Sequence, residues 1–137
     1  MLEAVLAGLA GLLIGSFLNV CVYRLPRDLS VVRPRSHCPA CEKQIAWYDN
    51  IPVVSYLVLG AKCRHCGERI LLRYVLVELA TAIAFAVCVG ELGLTLAALK
   101  FVVFSAILIT LVAMDLEERI LADDFTLGGT VVGLVLA

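Results

Sequence analysis

Long apolar stretches, separated by polar segments, divide the chain into parts. Residues 4–23 carry no charged side chain over 20 positions, about the number that a helix needs to cross the hydrocarbon core of a bilayer. Three more apolar stretches follow a long polar segment, at 74–90, 94–114 and 125–137. Two glycines interrupt the apolar sequence at 90–93, which predicts a turn between two helices. The pattern as a whole predicts an all-α polytopic membrane protein in a lipid bilayer.

The order of the stretches predicts three parts. We expect a first transmembrane helix over 1–23, a polar domain over 24–73 and the start of a second membrane-embedded region over 74–137. The final 13 apolar residues would extend about 20 Å as a helix, whereas a bilayer core is about 30 Å thick. We therefore expect the sequence to end within a fourth span. A cleaved signal peptide is the competing interpretation of the first stretch, but Glu3 stands where a positive charge is expected.

Small or short side chains recur every four positions in the first stretch, at Ala7, Gly11, Gly15 and Asn19. Positions four apart lie on one face of a helix. Because small side chains let transmembrane helices approach closely, this face is expected to pack against another helix.

Composition and charge support a membrane protein and give it an orientation. Hydrophobic residues make up 62% of the chain. Nine of the 11 lysines and arginines lie in 24–73 beside only four acidic residues, although the whole chain carries a net charge of -1. Basic loops stay in the cytoplasm, so 24–73 and 115–124 are expected inside and the 90–93 turn outside. Since topology accounts for the positive charge, no nucleic-acid partner is predicted.

Four cysteines in the polar domain form two Cys-x-x-Cys pairs, Cys38 with Cys41 and Cys63 with Cys66. Their spacing is close to that at which two turns supply four thiolates to one tetrahedral zinc ion. Disulfides are disfavoured in the reducing cytosol, and a thioredoxin-like redox pair would need a βαβ context. A segment of about 50 residues also builds only a small core, which a structural metal would supplement. We therefore predict one structural zinc ion.

The remaining histidines and cysteines have less specific interpretations. His37 and His65 each adjoin a cysteine and are alternative ligands, although four thiolates already complete a zinc site. Cys21 and Cys88 fall within apolar stretches, where they are predicted to fill space.

Asp115 is the candidate for catalysis. It follows the apolar stretch 101–114 at the expected cytoplasmic border of a span, where desolvation can perturb a carboxyl group. The alternative is an ordinary acid at a helix end, and the residues alone do not decide between the two. Glu78 follows Arg73 closely enough on a helix for the two to pair. The other acids after the third apolar stretch are expected to be solvated: Glu117, Glu118, Asp123 and Asp124.

The chain resembles the type IV prepilin peptidases over essentially its whole length. The similar stretches are GSFLNVCVYRLPR (15–27), SHCPACEKQIAWYDNIPVVSYLVLGAKCRHCGERI (36–70), RYVLVELATA (73–82) and AMDLEERILADDFTL (113–127). The resemblance implies an aspartic protease of the bacterial inner membrane that cleaves the basic leader of prepilins and pseudopilins at the cytoplasmic face. Many members then methylate the new N-terminus with S-adenosylmethionine. The resemblance also implies Asp115 as the first catalytic aspartate and the four cysteines as those of the cytoplasmic domain.

The sequence departs from the family in places. The family usually has Leu-Pro-Asp where this chain has Leu-Ala-Asp at 121–123, Leu-Arg-Gly where it has Leu-Gly-Ala at 59–61, and Arg-Tyr-Pro where it has Arg-Tyr-Val at 73–75. The second catalytic aspartate of the family lies in a Gly-x-Gly-Asp motif. None of the ten glycines here precedes an aspartate.

This difference bears on activity, because an aspartic dyad needs two carboxyl groups close enough to share a proton. If the helix of Asp115 continued, Asp123 and Asp124 would lie about 12–13 Å further along, and only a reversal of the chain would bring them near. We therefore interpret the chain as the N-terminal part of a prepilin peptidase, inactive alone. Two other classes stay open: a non-enzymatic membrane-anchored zinc-ribbon interaction protein and a membrane-bound methyltransferase fragment.

Overall fold

The computed structural model describes residues 1–33, 35–118 and 123–137, without the side chains at 118 and 123–127. Its helices are α1 (Leu2–Arg24), α2 (Val54–Val58), α3 (Leu72–Leu92), α4 (Leu96–Glu118) and α5 (Asp123–Leu136). Two 3-10 turns lie between α1 and α2, at Leu25–Arg27 and Trp47–Asn50. The described ranges contain isolated β-bridges but no β-strand. Because α1, α3 and α4 are each long and apolar enough to cross a bilayer, the predicted all-α membrane fold is confirmed.

Glycines hold α1 and α3 together as a closely packed antiparallel pair. A Cβ atom on Gly11 or on Gly15 would lie only 2.7 Å from an α-carbon of α3. Nearer the polar domain, the Asn19 side chain donates from Nδ2 to the Tyr74 carbonyl at 2.9 Å. The face of α1 that carries these residues therefore packs against a helix, as the four-residue spacing predicted.

The core of the bundle lies at the end nearest the polar domain, where α1, α3 and α4 meet. Its buried apolar side chains are Leu18, Val22, Val77, Ala113 and Met114. The last helix, α5, packs against α4 and runs antiparallel to it. Gly129 lies against Ile107, and further from the core Val135 and Leu99 line the same small cavity. The chain therefore reverses direction between α4 and α5.

The polar domain consists of two hairpins, the 3-10 turns and the short helix α2. Its backbone has positive φ at four residues other than glycine: Asp28, Glu42, Val53 and Ala61. Such residues are uncommon, and a β-branched one such as Val53 is a genuine outlier. The fold of the domain therefore relies on specific hydrogen bonds, such as that from the Val53 N–H to Glu78 Oε2.

Candidate functional site

The four cysteines lie on two hairpins of the same construction, offset by 25 residues. In each hairpin the N–H of the first cysteine donates to the carbonyl five residues further along, at 3.0 Å in the first and 2.8 Å in the second. Each then turns through a residue of positive φ directly after the second cysteine, Glu42 (φ 58°) or Gly67 (φ 73°). The repeated turn presents two sulfur atoms from each hairpin to a shared site.

At this shared site all four Sγ atoms lie within 4.8 Å of one another. The Cys38 and Cys66 sulfurs are 3.6 Å apart, and those of Cys41 and Cys63 are 4.0 Å apart. Four sulfurs bound to one tetrahedral zinc ion at about 2.3 Å would be separated by about 3.8 Å. A disulfide would need about 2.05 Å, and the cysteines are unpaired. The cluster therefore fits a tetrahedral metal ion.

The backbone of the second hairpin favours a thiolate at one position. The N–H groups of Cys66 and His65 hydrogen-bond to the sulfur of Cys63 and lower the pKa of that thiol to about 6. At Cys66, the Glu68 N–H also lowers the pKa, but desolvation and the neighbouring sulfurs outweigh it and raise the pKa to about 12. Near neutral pH the Cys63 thiol is thus ionised, whereas a metal ion would have to displace the proton of the Cys66 thiol.

An ion pair fixes the second hairpin to the 3-10 turn Trp47–Asn50. Arg64 donates from Nε and Nη2 to the two carboxylate oxygens of Asp49, each at 2.8 Å. This guanidinium holds the pKa of Asp49 below its usual range, and it lies 5.6 Å from the centre of the Tyr48 ring. Because Arg64 stands between the two cysteines of its hairpin, the pair helps to set the position of both ligands.

The histidines beside the cysteines lie outside the sulfur cluster. His37 forms a β-bridge with Gln44, and His65 is exposed. In the part of the chain that the structure describes, the group of side chains able to hold a metal consists of the four cysteines alone. Cys21 and Cys88 lie within α1 and α3, where Cys21 is buried, in agreement with their predicted role as space-filling residues.

Asp115 lies in the last turn of α4, on the same side of the bundle as the polar domain. Met114 before it is fully buried in the core, whereas Asp115 is exposed. Arg73, near the start of α3, contacts Glu117 Oε2 through Nη1 at 2.5 Å. This ion pair holds the last turn of α4 at the junction between the polar domain and α3.

Glu78 and Arg73 have partners other than the expected ones. Glu117, expected to be solvated, forms the ion pair with Arg73. Glu78 is only 8% exposed and accepts a hydrogen bond from the Val53 N–H at 2.8 Å. The sequence pattern could not reveal these contacts, because they depend on where the polar domain folds back onto α3.

The chain reverses between α4 and α5, because α5 begins at Asp123 and runs back along α4. The distance of 12–13 Å for a continued helix therefore does not apply. The side chains of Asp123 and Asp124 lie outside the described residues. The catalytic role of Asp115 stays a prediction.

A cavity of about 520 Å³ lies between the polar domain and the pair α1 and α3. Asn19, Tyr74 and Glu78 line its membrane side, and residues of both cysteine hairpins also line it. Asn19 is buried. The volume lies within the roughly 300–1,000 Å³ of small-molecule sites.

Three apolar helices joined to a four-cysteine cluster that could hold a metal ion define a class of polytopic membrane protein. Within this class, residues 9–92 match the family described as the bacterial peptidase A24 N-terminal domain, and the chain belongs to that family. The match confirms the resemblance to prepilin peptidases.

Several curated proteins are similar to the chain. A prepilin leader peptidase/N-methyltransferase of Myxococcus xanthus is 45% identical, covering 99% of this chain and 41% of the relative. A type 4 prepilin-like proteins leader peptide-processing enzyme of Escherichia coli is 40% identical, and the match covers 97% of this chain and 56% of the relative. A prepilin leader peptidase/N-methyltransferase of Neisseria gonorrhoeae is 34% identical, and the match covers 95% of this chain and 54% of the relative. The chain thus spans about half the length of these relatives, and no solved structure matches it.

Proposed function

We propose that the chain takes part in cleaving the leader peptide of prepilins and pseudopilins, with Asp115 as one of two catalytic carboxyl groups. The observation that carries the proposal is the position of Asp115: it is exposed in the last turn of α4, which the Arg73 contact with Glu117 holds beside the four-cysteine domain. Membership of the A24 family and the similarity to prepilin leader peptidases support it.

In an aspartic dyad one carboxylate accepts a proton from the attacking water while the other carboxyl donates a proton to the scissile carbonyl oxygen. Asp115 would fill one of these roles, because its exposed carboxyl group can meet both water and a peptide at the membrane border. The second carboxyl group would come from a Gly-x-Gly-Asp motif that these 137 residues do not contain. We therefore expect the 137-residue chain not to cleave substrate alone.

The substrate fits this location. A basic leader stays in the cytoplasm while the apolar segment after it enters the bilayer, so the scissile bond lies at the border. We place the protein in the bacterial inner membrane with the polar domain in the cytoplasm, as the nine basic residues of 24–73 indicate. Reporter fusions after Arg69 and after Gly93 should then give opposite signals, and equal signals would contradict this orientation.

The four cysteines would hold a structural zinc ion in this proposal. The sulfur separations of 3.6 and 4.0 Å suit a tetrahedral ion, and four thiolates leave no open position for a substrate. When bound, the ion supplies folding free energy to the polar domain and no reacting atom. The cysteine hairpins orient the sulfurs, and Arg64 with Asp49 fixes the second hairpin.

Methylation of the new N-terminus is a second proposed activity, and the cavity beside Glu78 favours it. The relatives from M. xanthus and N. gonorrhoeae carry the name N-methyltransferase, and the family resemblance implies S-adenosylmethionine as the methyl donor. A cavity of about 520 Å³, with Asn19 in its lining, offers space for such a molecule. Calorimetric titration with S-adenosylmethionine should show binding that Asn19→Leu weakens, and equal binding to both proteins would contradict this site.

Cleavage in detergent tests the main proposal. Residues 1–137 alone and a chimera of these residues with the remainder of the M. xanthus relative are each incubated with a leader-bearing pilin, and the product masses are measured. We expect cleavage by the chimera only. Cleavage by the 137-residue chain would show that both carboxyl groups lie within it, which would point to Asp123 or Asp124. Failure of a folded chimera would favour the non-enzymatic membrane-anchored interaction protein.

A further inference from the structure

The helix α2 and the 3-10 turn before it present an apolar surface, here called the α2 face. Its exposed side chains, with their exposed fractions, are Trp47 (71%), Val54 (53%), Leu57 (71%) and Val58 (73%). No charged residue occurs from 50 to 61. The α2 face therefore differs from the rest of the polar domain, where charged residues are frequent. Exposing this apolar surface to water costs free energy.

A hydrogen bond shows how deep this surface lies along the bundle. The Val53 N–H, immediately before α2, donates to Oε2 of Glu78 at 2.8 Å. Glu78 is six residues past Leu72, where α3 begins, which corresponds to about 9 Å along the helix axis. The Glu78 side chain leans back towards the start of α3, so the bond holds α2 near the border of the span rather than at its centre.

The packing of α1 gives a second measure of the same depth. A Cβ atom on Gly15 would lie 2.7 Å from the Glu78 α-carbon, so the two residues are level. Gly15 precedes Arg24, the last residue of α1, by nine residues or about 14 Å. Both helices therefore place the anchor of α2 on the membrane side of the first basic residue of the polar domain.

The α2 face is also held rigidly. Ser55 Oγ accepts a hydrogen bond from the Ile51 N–H at 2.8 Å and donates one to the Tyr48 carbonyl at 2.9 Å, which joins α2 to the 3-10 turn. Val53 keeps a φ of 61°, rare for a β-branched residue, while its N–H is bonded to the Glu78 carboxyl group. These hydrogen bonds of Ser55 and Val53 hold α2 in the orientation that leaves the side chains of the α2 face exposed.

We propose that the α2 face inserts into the bilayer border on the side of the polar domain, so that lipid is its partner. The helix to which it is anchored through Glu78, α3, itself exposes Leu72 and Leu76 near its start. The residues of the α2 face suit this place, because tryptophan favours the interface and the aliphatic side chains favour the acyl chains. The inference goes beyond the proposed catalytic function and does not depend on it.

Trp47 provides a test without any substitution, because it is the single tryptophan of the chain. The protein is reconstituted in phosphatidylcholine vesicles with or without bromine atoms on the upper part of the acyl chains. We expect brominated lipid to reduce the Trp47 emission and aqueous acrylamide to have little effect. Equal emission in the two kinds of vesicle would overturn the proposal. Quenching by acrylamide would then show that Trp47 faces water, and the absence of quenching would show that another protein surface covers it.

Two matched variants extend the test along the domain. In a Trp47→Phe background, Leu57→Trp moves the reporter onto α2, and Gln44→Trp moves it to an exposed position on the first cysteine hairpin. Brominated lipid should reduce the emission from the first and leave the second unchanged. Equal reduction in both, or in neither, would contradict insertion of the α2 face in particular.

Discussion

The two cysteine hairpins differ at one residue that the backbone makes important. Glu42 and Gly67 occupy equivalent positions with positive φ, where a side chain costs roughly 1–2 kcal/mol and glycine costs little. We predict that Glu42→Gly stabilises the polar domain and that Gly67→Ala destabilises it by about 1 kcal/mol, since a Cβ at Gly67 would meet no neighbouring atom within 4 Å. Urea titration followed by Trp47 emission measures both changes. Shifts of the same sign would contradict the shared turn geometry.

The cysteine pKa values predict how zinc binding depends on pH. Above pH 6 the Cys63 thiol is already ionised, whereas below pH 6 a metal ion must displace its proton as well. Zinc affinity should therefore fall as pH falls, and more steeply below about pH 6 than above it. Competition with a chelator at several pH values under reducing conditions gives the slopes. A protein without zinc at neutral pH would contradict the metal site itself, and Cys63→Ser serves as the control that should lose zinc.

At the scale of residues, the sequence predicted which four cysteines lie together but not which contacts support them. The four cysteines were recognisable because the spacing of metal ligands is local and chemically restricted. The pairs of Arg64 with Asp49 and of Glu78 with Val53 could not be predicted, because they join residues 15 and 25 positions apart through the fold of the domain. The first pair holds the second cysteine hairpin in position, and the second pair holds α2 beside α3.

At the scale of helices, the packing of α1 against α3 depends on the absence of side chains. A Cβ at Gly15 would lie 2.7 Å from the backbone of α3, so Gly15→Ala forces the helices apart. We expect a loss of roughly 1–3 kcal/mol in the free energy of unfolding. Gly8→Ala is the matched control, because its Cβ would meet Ala86 Cβ at an ordinary 3.5 Å. Thermal unfolding in detergent should lower Tm for the first variant alone, and equal shifts would contradict this packing.

The contact between α3 and α4 predicts an asymmetric response to mutation. The guanidinium nitrogens of Arg73 are buried, and Glu117 Oε2 lies 2.5 Å from Arg73 Nη1 as their negatively charged partner. Glu117→Gln should therefore destabilise the protein by up to about 3 kcal/mol, because it leaves a buried charge unpaired. Adding Arg73→Met should restore part of this loss. A double-mutant cycle measures the coupling, and additive effects would contradict the ion pair.

The helices themselves were largely predictable, whereas their connections were not. Apolar stretches of about bilayer length identified α1, α3 and α4: the first carries no charge, and the other two carry only Glu78 and Lys100. The short helix α2 was not predicted, since five residues carry too little periodicity. The reversal before α5 was considered only as an alternative, because it depends on packing such as Gly129 against Ile107.

At the scale of the molecule, the functional groups gather at one end of the bundle. The four-cysteine cluster, the cavity beside Glu78 and the last turn of α4 all lie where the polar domain meets the helices. This arrangement is the one that the proposed cleavage requires, because its substrate would come from both the cytoplasm and the bilayer. The sequence predicted that the polar domain and Asp115 share a side through the positive-inside rule, and the contact of Arg73 with Glu117 agrees with it.

The central claim is that the carboxyl group of Asp115 performs catalysis. The most direct test is the mass of the pilin product formed by the chimera with the M. xanthus relative, with and without Asp115→Asn. Asparagine keeps the size and polarity of the side chain but cannot accept or donate the catalytic proton, so we predict a loss of roughly 100-fold or more. Asp123→Asn in the same chimera should keep its activity. Full cleavage by a folded Asp115→Asn chimera would contradict the account.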